Sequence, residues 1–121
     1  MINREVREGA LVISEDGAEL ISIRETPVGD RMSIAVSGGI TSDTAPYFAD
    51  ELMTAITVSN SLEIDLSGVE FISSAGFKAL LNTQKTIDGI KGKSLRLFGI
   101  SERLMNSFED IGFDGLFDIA Q

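Results

Sequence analysis

Two adjacent hydroxyls and a glycine, Ser73-Ser74-Ala75-Gly76, stand where an alternating run gives way to a helical one in the stretch LEIDLSGVEFISSAGFKALL, residues 62–81. Leu62, Ile64 and Leu66 alternate with Glu63 and Asp65, the pattern of a half-buried strand, and Phe77, Leu80 and Leu81 recur at helical spacing. The serines therefore sit at a helix start. Backbone N–H groups there lack intrahelical partners, and the macrodipole leaves partial positive charge. Such a position suits a capping hydroxyl or a bound anion. An ordinary N-cap or plain α/β core is the competing account.

Other chemistries do less well. The chain has no histidine and no cysteine, which removes the commonest general base, the thiolate nucleophile and the usual metal ligands together. Ser74 lies outside any G-x-S-x-G elbow. Lys78, one helical turn later, shares its face, but a solvated lysine on an acidic surface explains it better than a Ser–Lys pair. Asp65 and Glu70 flank the same loop without any sign of a pocket, and Asp65 suits a strand-end hydrogen-bond acceptor. Gly38-Gly39 follows a strand, yet no phosphate-cradle motif is present, so turn glycines are expected there. No stretch matches an EF-hand loop. These readings predict no enzyme, no metal and no cofactor.

The totals narrow the partners. Ten lysines and arginines against 19 acids give a net charge of −9, which disfavours nucleic acid and anionic membrane and is compatible with cationic protein surfaces. The opening MINREVREGA has no apolar run, and no segment approaches membrane-spanning length, so a cytoplasmic protein without membrane insertion is expected.

The elements that must position Ser74 follow from periodicity and turn residues. At 121 residues the chain is the size of one domain. Met1 to Gly9 is polar and reads as frayed or held only by a partner strand; Ala10 to Ile13, Glu19 to Arg24 and Arg31 to Ser37 read as strands joined by turns at Glu15-Asp16-Gly17 and Pro27-Val28-Gly29-Asp30. Ser42 or Asp43 is expected to cap a helix with Pro46 in its first turn and Ala45, Phe48, Leu52, Ala55 and Ile56 on its buried face. After the central strand, loop and helix, which ends near Gly89–Gly92, come a strand over Ser94–Ile100 and a helix capped by Ser101. That helix carries a stripe of Leu104, Phe108 and Ile111 and stops at Gly112, and a short strand follows within Leu116–Ile119. Alternation of strands and helices after an antiparallel opening predicts a single α/β domain: a mixed sheet with helices packed on it and an extra N-terminal β-hairpin.

Residues 62–81 also resemble the signature of STAS domains of the anti-sigma-factor-antagonist kind: a strand ending Asp-Leu-Ser, a phenylalanine-rich turn, then Asp-Ser-Ser/Ala-Gly-Leu and a helix. The matching residues are Asp65-Leu66-Ser67, Val69-Glu70-Phe71-Ile72 and Ser73-Ser74-Ala75-Gly76-Phe77. VSGGITSDTA at Val36 to Ala45, KSLRLFGIS at Lys93 to Ser101 and FEDIGFDGLF at Phe108 to Phe117 extend the likeness, which runs from about Leu20 to the end. It implies a STAS domain over residues 20–121 preceded by an extension over residues 1–19, which completes the sheet edge or forms a dimer contact.

The resemblance further implies a binding module switched by phosphorylation two residues before the motif glycine, at Ser74, with Ser73 as a competing acceptor. Unphosphorylated, such a module binds an anti-sigma factor or related serine kinase, and a serine phosphatase restores it. The implied partner surface comprises Thr41, Ser42 and Asp43 before the first helix and Ser73, Ala75, Gly76 and Lys78 around the acceptor. Two positions depart from the pattern: Ser73 replaces the Asp before the acceptor, and Thr41 replaces the loop Asp, with Asp43 as its stand-in. A never-phosphorylated scaffold subunit of a signalling or transporter assembly is the first alternative, and a binder of small anions or nucleotides is the second.

Overall fold

The computed structural model describes residues 1–120. In chain order it has β1 (Ile2–Arg7), β2 (Ala10–Glu15), β3 (Ala18–Val28), β4 (Arg31–Ile40), α1 (Ala45–Val58), β5 (Ser61–Ile72), α2 (Ser74–Asp88), β6 (Ser94–Phe98), α3 (Glu102–Asp110), a 3-10 turn at Asp114–Leu116 and β7 (Asp118–Ala120). The strands form one seven-stranded sheet in sequence order. β1 to β4 are antiparallel to their neighbours, and β4 to β7 are mutually parallel. The mixed sheet with packed helices expected from the alternation is the architecture observed.

Turn chemistry explains the meander. Glu8-Gly9 and Asp16-Gly17 each take positive φ at both residues, the geometry whose twist suits two-residue hairpins. The polar opening residues are thus not frayed: β1 pairs along its length with β2, from Ile2 opposite Glu15 to Arg7 opposite Ala10. The junction drawn at Leu20 falls inside β3, which runs unbroken from Ala18.

Successive parallel strands added in one direction, with right-handed crossovers, put α1, α2 and α3 on the same face of the sheet. Met32, Ile34 and Val36 of β4, Leu62, Ile64 and Leu66 of β5, and Leu95 and Leu97 of β6 are buried against Phe48, Leu52, Leu80, Leu104 and Phe108 from the helices. The intervening residues of these strands, such as Ala35 and Arg96, lie toward the other, more open face.

Five local expectations need correction. β5 does not stop at Leu66 but continues to Ile72, because β4 runs beside it with register shifts that set Ser37 opposite Gly68 and Gly39 opposite Phe71. Gly38, at φ 101°, carries no side chain where one would strike the backbone of Leu20 and Ile21 on β3. Neither Ser42 nor Asp43 caps α1. Thr44 holds the N-cap position without a side-chain cap, since its buried hydroxyl turns inward, donating to the Gly39 carbonyl at 2.7 Å and accepting from the Thr41 N–H at 2.8 Å. β6 ends at Phe98, and Ile111 is half-exposed at the α3 terminus. Leu116 lies in the 3-10 turn, and Phe113 and Phe117 reach the core instead.

Candidate functional site

The C-terminal ends of β4 and β5 lie side by side, with Ile40 opposite Ile72, and deliver the starts of α1 and α2 to one end of the sheet. The Ser73 N–H donates to the Ile40 carbonyl at 2.7 Å, tying the two loops together. Ser73 is the N-cap of α2, extended at φ −78° and ψ 171°, and its Oγ accepts from the Gly76 N–H at 3.2 Å. One orphan donor of the first turn is satisfied this way.

Ser74 is the first helical residue and is exposed, and among the described residues nothing hydrogen-bonds its Oγ. The two serines therefore differ in kind: one hydroxyl is committed to the cap, and the other points free at the helix start. α2 has no acidic residue in its first turn, so its positive end is uncompensated by this chain.

Gly76 is buried. A Cβ there would lie 2.6 Å from Ile40 Cγ2 and 2.8 Å from Ile72 Cγ2, so the absent side chain lets α2 sit directly on the ends of β4 and β5. Of the two readings its position invites, partner contact and strand–helix packing, the packing is what the geometry contains. Ala75 is half-buried and Lys78 is exposed one turn beyond Ser74.

In the neighbouring loop Ser42 and Asp43 are exposed, while half-buried Thr41 uses its Oγ1 to accept from the N–H groups of Asp43 and Thr44 at 3.2 and 3.3 Å. A shallow groove of about 220 Å³ between α1 and α2 joins the two starts, lined in part by Ser42, Ala45, Ala75 and Lys78. Of the sequence-predicted residues, Ser42, Ala75 and Lys78 thus line one groove, while Gly76 lies beneath it.

A larger groove of about 550 Å³ opens on the other side of Ser74, between α2 and the end of α3. Phe71, Phe77, Leu81, Ile111 and Phe113 line it, and Ser74, Lys78 and Asp110 stand among its polar members. Phe77 packs edge-on against Phe108 and Phe113, at centroid distances of 4.9 and 6.0 Å. Phe71 remains half-exposed at the mouth. Residue-by-residue motif reading misses this groove, although the crowding of phenylalanines after residue 70 was its available signal.

Asp65, expected at a strand end, lies within β5; its Oδ1 accepts from the Ser67 N–H at 2.9 Å, and a side chain on Gly99, at φ 73°, would meet it. Among the described residues no group of acidic side chains has the arrangement of a metal site, and no helix is long and apolar enough to cross a membrane.

Comparison with known proteins identifies the family and the fold. A model of the STAS domain family matches residues 22–121. The anti-sigma-B factor antagonist of Listeria monocytogenes is 31% identical over 100 residues, 82% of this chain and 86% of that protein. Among solved structures, an anti-sigma factor antagonist from Mycobacterium paratuberculosis matches with a TM-score of 0.73 at 25% identity, over 82% of this chain and 84% of that one. The Bacillus cell fate determinant SpoIIAA in its phosphorylated form shares the fold, with a TM-score of 0.63 at 16% identity over 82% of this chain and 91% of its own.

Proposed function

The chain belongs to the STAS domain family, in its anti-sigma factor antagonist branch, and on that premise we propose that it is a partner-switching module controlled at Ser74. Unphosphorylated, it binds an anti-sigma factor or a related serine kinase; phosphorylated, it is released, and a serine phosphatase resets it. It acts by binding and catalyses nothing itself. The contact surface is made of Thr41, Ser42 and Asp43 from one helix start and Ser74, Ala75 and Lys78 from the other, flanked by the groove that Phe71 opens.

One observation carries the reading: the Ser74 hydroxyl is exposed and uncommitted at a helix N-terminus, while its neighbour Ser73 is bound up as the cap. A phosphate adds about −1.5 to −2 charges and three acceptor oxygens at neutral pH. Free N–H groups and the helix dipole tolerate that charge within the fold. A partner already in contact does not, because it meets added bulk, repulsion and desolvation. Each 1.4 kcal/mol so introduced weakens binding about tenfold, so a few kcal/mol is enough to release it. The switch acts on association and leaves folding intact.

The test uses the host's own proteins. Purified chain is incubated with host lysate and ATP and its intact mass followed, and Ser74→Ala and Ser74→Asp are used side by side to capture the binding protein. Phosphate on Ser74, with capture by Ser74→Ala and loss in Ser74→Asp, is the expected result. Equal capture by both variants with no phosphorylated species overturns the switch and favours the constitutive scaffold, a reading that Ser73 in place of the family Asp supports. A rise in thermal stability with millimolar nucleotide or phosphate favours an anion binder instead.

A further inference from the structure

β1 is an outer strand of the sheet. Its inner side pairs with β2 from Ile2 to Arg7, and no described strand covers its outer side. The two-residue turn at Glu8-Gly9 makes Arg7 and Ala10 a hydrogen-bonded pair. Bonding then alternates along an antiparallel ladder, so the backbone groups of Arg7, Glu5 and Asn3 face β2 while those of Val6, Arg4 and Ile2 face outward. A free edge of this kind is a template for another strand unless its side chains forbid pairing.

Here the side chains forbid most pairings and permit one. Val6, next to the last residue of the strand, is 76% exposed. Around it the charges alternate as Arg4, Glu5, Arg7 and Glu8. We infer that two copies of this chain associate through β1, antiparallel about a two-fold axis at Val6. Two facing residues must agree in whether their backbone groups point outward, which restricts the axis to a residue position. An axis at Arg4, Glu5 or Arg7 sets that residue's charge against its own copy. An axis at Ile2 pairs fewer residues, and one at Asn3 pairs as many strand residues as one at Val6 but opposes no oppositely charged side chains. At Val6 the two valines meet, Glu5 faces Arg7 of the second copy twice, and Arg4 reaches toward Glu8 of the second copy twice.

The charges are already held near these positions: Arg4 lies 3.6 Å from Glu51 of α1, and Glu5 and Arg7 contact each other on one face of the strand. The competing edge strand, β7, has only three residues. A two-fold normal to the sheet sends the two Ser74 ends in opposite directions, and β1 lies four strands away from β5, so both sites stay open. With three strand residues of each copy paired, such an edge contact buries less than a standard interface of about 1,600 Å², so the dimer is weak and depends on concentration.

Sedimentation of the whole chain over a concentration series reads the association directly. Wild type is expected to shift from monomer toward dimer in the high-micromolar range. Val6→Pro abolishes the shift while keeping the β1–β2 ladder, because the Val6 N–H points outward and proline is tolerated on edges. Glu5→Arg and Arg7→Glu alone each weaken association at least about tenfold. Mixed in equal amounts they associate again, since each supplies the charges the other lacks, a rescue that no contact within one chain produces. A wild type that stays monomeric throughout, a dimer that survives Val6→Pro, or a mixture without rescue each overturns the pairing.

Discussion

Exchanging the two serines one at a time separates cap from switch. Ser73→Ala deletes the oxygen that accepts from the Gly76 N–H at 3.2 Å and exposes one of the first-turn donors. Loss of such a cap costs about 1 kcal/mol, which for a domain of this size lowers the melting temperature by roughly 4 °C. Ser73→Asp keeps an acceptor in place and recovers most of that loss. Ser74→Ala removes an exposed hydroxyl without a partner among the described residues, so its effect stays within about 0.5 kcal/mol. Ser74→Asp has the opposite sign from most substitutions. α2 carries no acid in its first turn, and a carboxylate there gains roughly 0.3–1 kcal/mol from the dipole, a gain that shrinks in high salt. The expected order of stability in low salt is Ser74→Asp, then wild type with Ser74→Ala, then Ser73→Ala. Urea melts and differential scanning fluorimetry at two ionic strengths measure it. Destabilisation of the fold by Ser74→Asp of more than about 1 kcal/mol would refute the argument that charge at this position leaves folding intact.

Two other substitutions probe the frame around the site. Gly76→Ala forces a methyl to within 2.6 Å of Ile40 Cγ2 and 2.8 Å of Ile72 Cγ2; although alanine is the better helix former by about 1 kcal/mol, overpacking wins and the net loss is about 1–2 kcal/mol by chemical denaturation. Glu25 on β3 is half-buried, has a buried Oε1 without a donor, and has its carboxyl pushed up to about 7, first by burial and then by the hydrogen bond and charge of Glu51 on α1. Because the folded state binds this proton more tightly than the unfolded chain, its stabilising contribution is full below pH about 4.5 and is lost as pH rises through about 7. Discounted for solvent screening, Glu25→Gln gains about 1 kcal/mol over wild type at pH 8 and little at pH 5, read as urea midpoints at both; a constant difference between the two pH values contradicts the assignment.

Much of this was legible from residue pattern. The helices announced themselves because each combines a 3.6-residue apolar period with a start signal, and Ser73 and Ser101 cap α2 and α3 through their own oxygens. α1 was harder. Its Ser42 and Asp43 are good caps by type, but the deciding contact is Thr44 to the Gly39 carbonyl, a bond between two segments that a one-dimensional window does not see. The extension of β5 was hidden for the same reason. Ser67 and Gly68 read as loop until β4 supplies a partner, and Gly68 is obligatory there because a Cβ would lie 2.7 Å from Ser37 Cβ. β1 looked frayed because its charges argue against burial. They do so correctly, for the strand is mostly exposed and held chiefly by its ladder, with Ile2 against the core and Arg4 beside Glu51 of α1.

Under the proposed switch, four consecutive residues divide the work so that the fold is spared. Ser73 spends its oxygen on the helix, Gly76 spends its missing side chain on the sheet, and Ala75 keeps the turn between them low. Each of those tasks is structural and faces inward or along the chain. Only Ser74 is left over, raised on the first helical turn with no structural duty, between one groove that leads to the Thr41 loop and another floored by phenylalanines. A side chain added at Gly76 would have to displace a packed contact, and a phosphate on Ser73 would load the oxygen that already caps the helix. Added to Ser74 it meets the first-turn N–H groups and solvent, so its effect on the fold is small and, under the proposed switch, its larger effect falls on the complex.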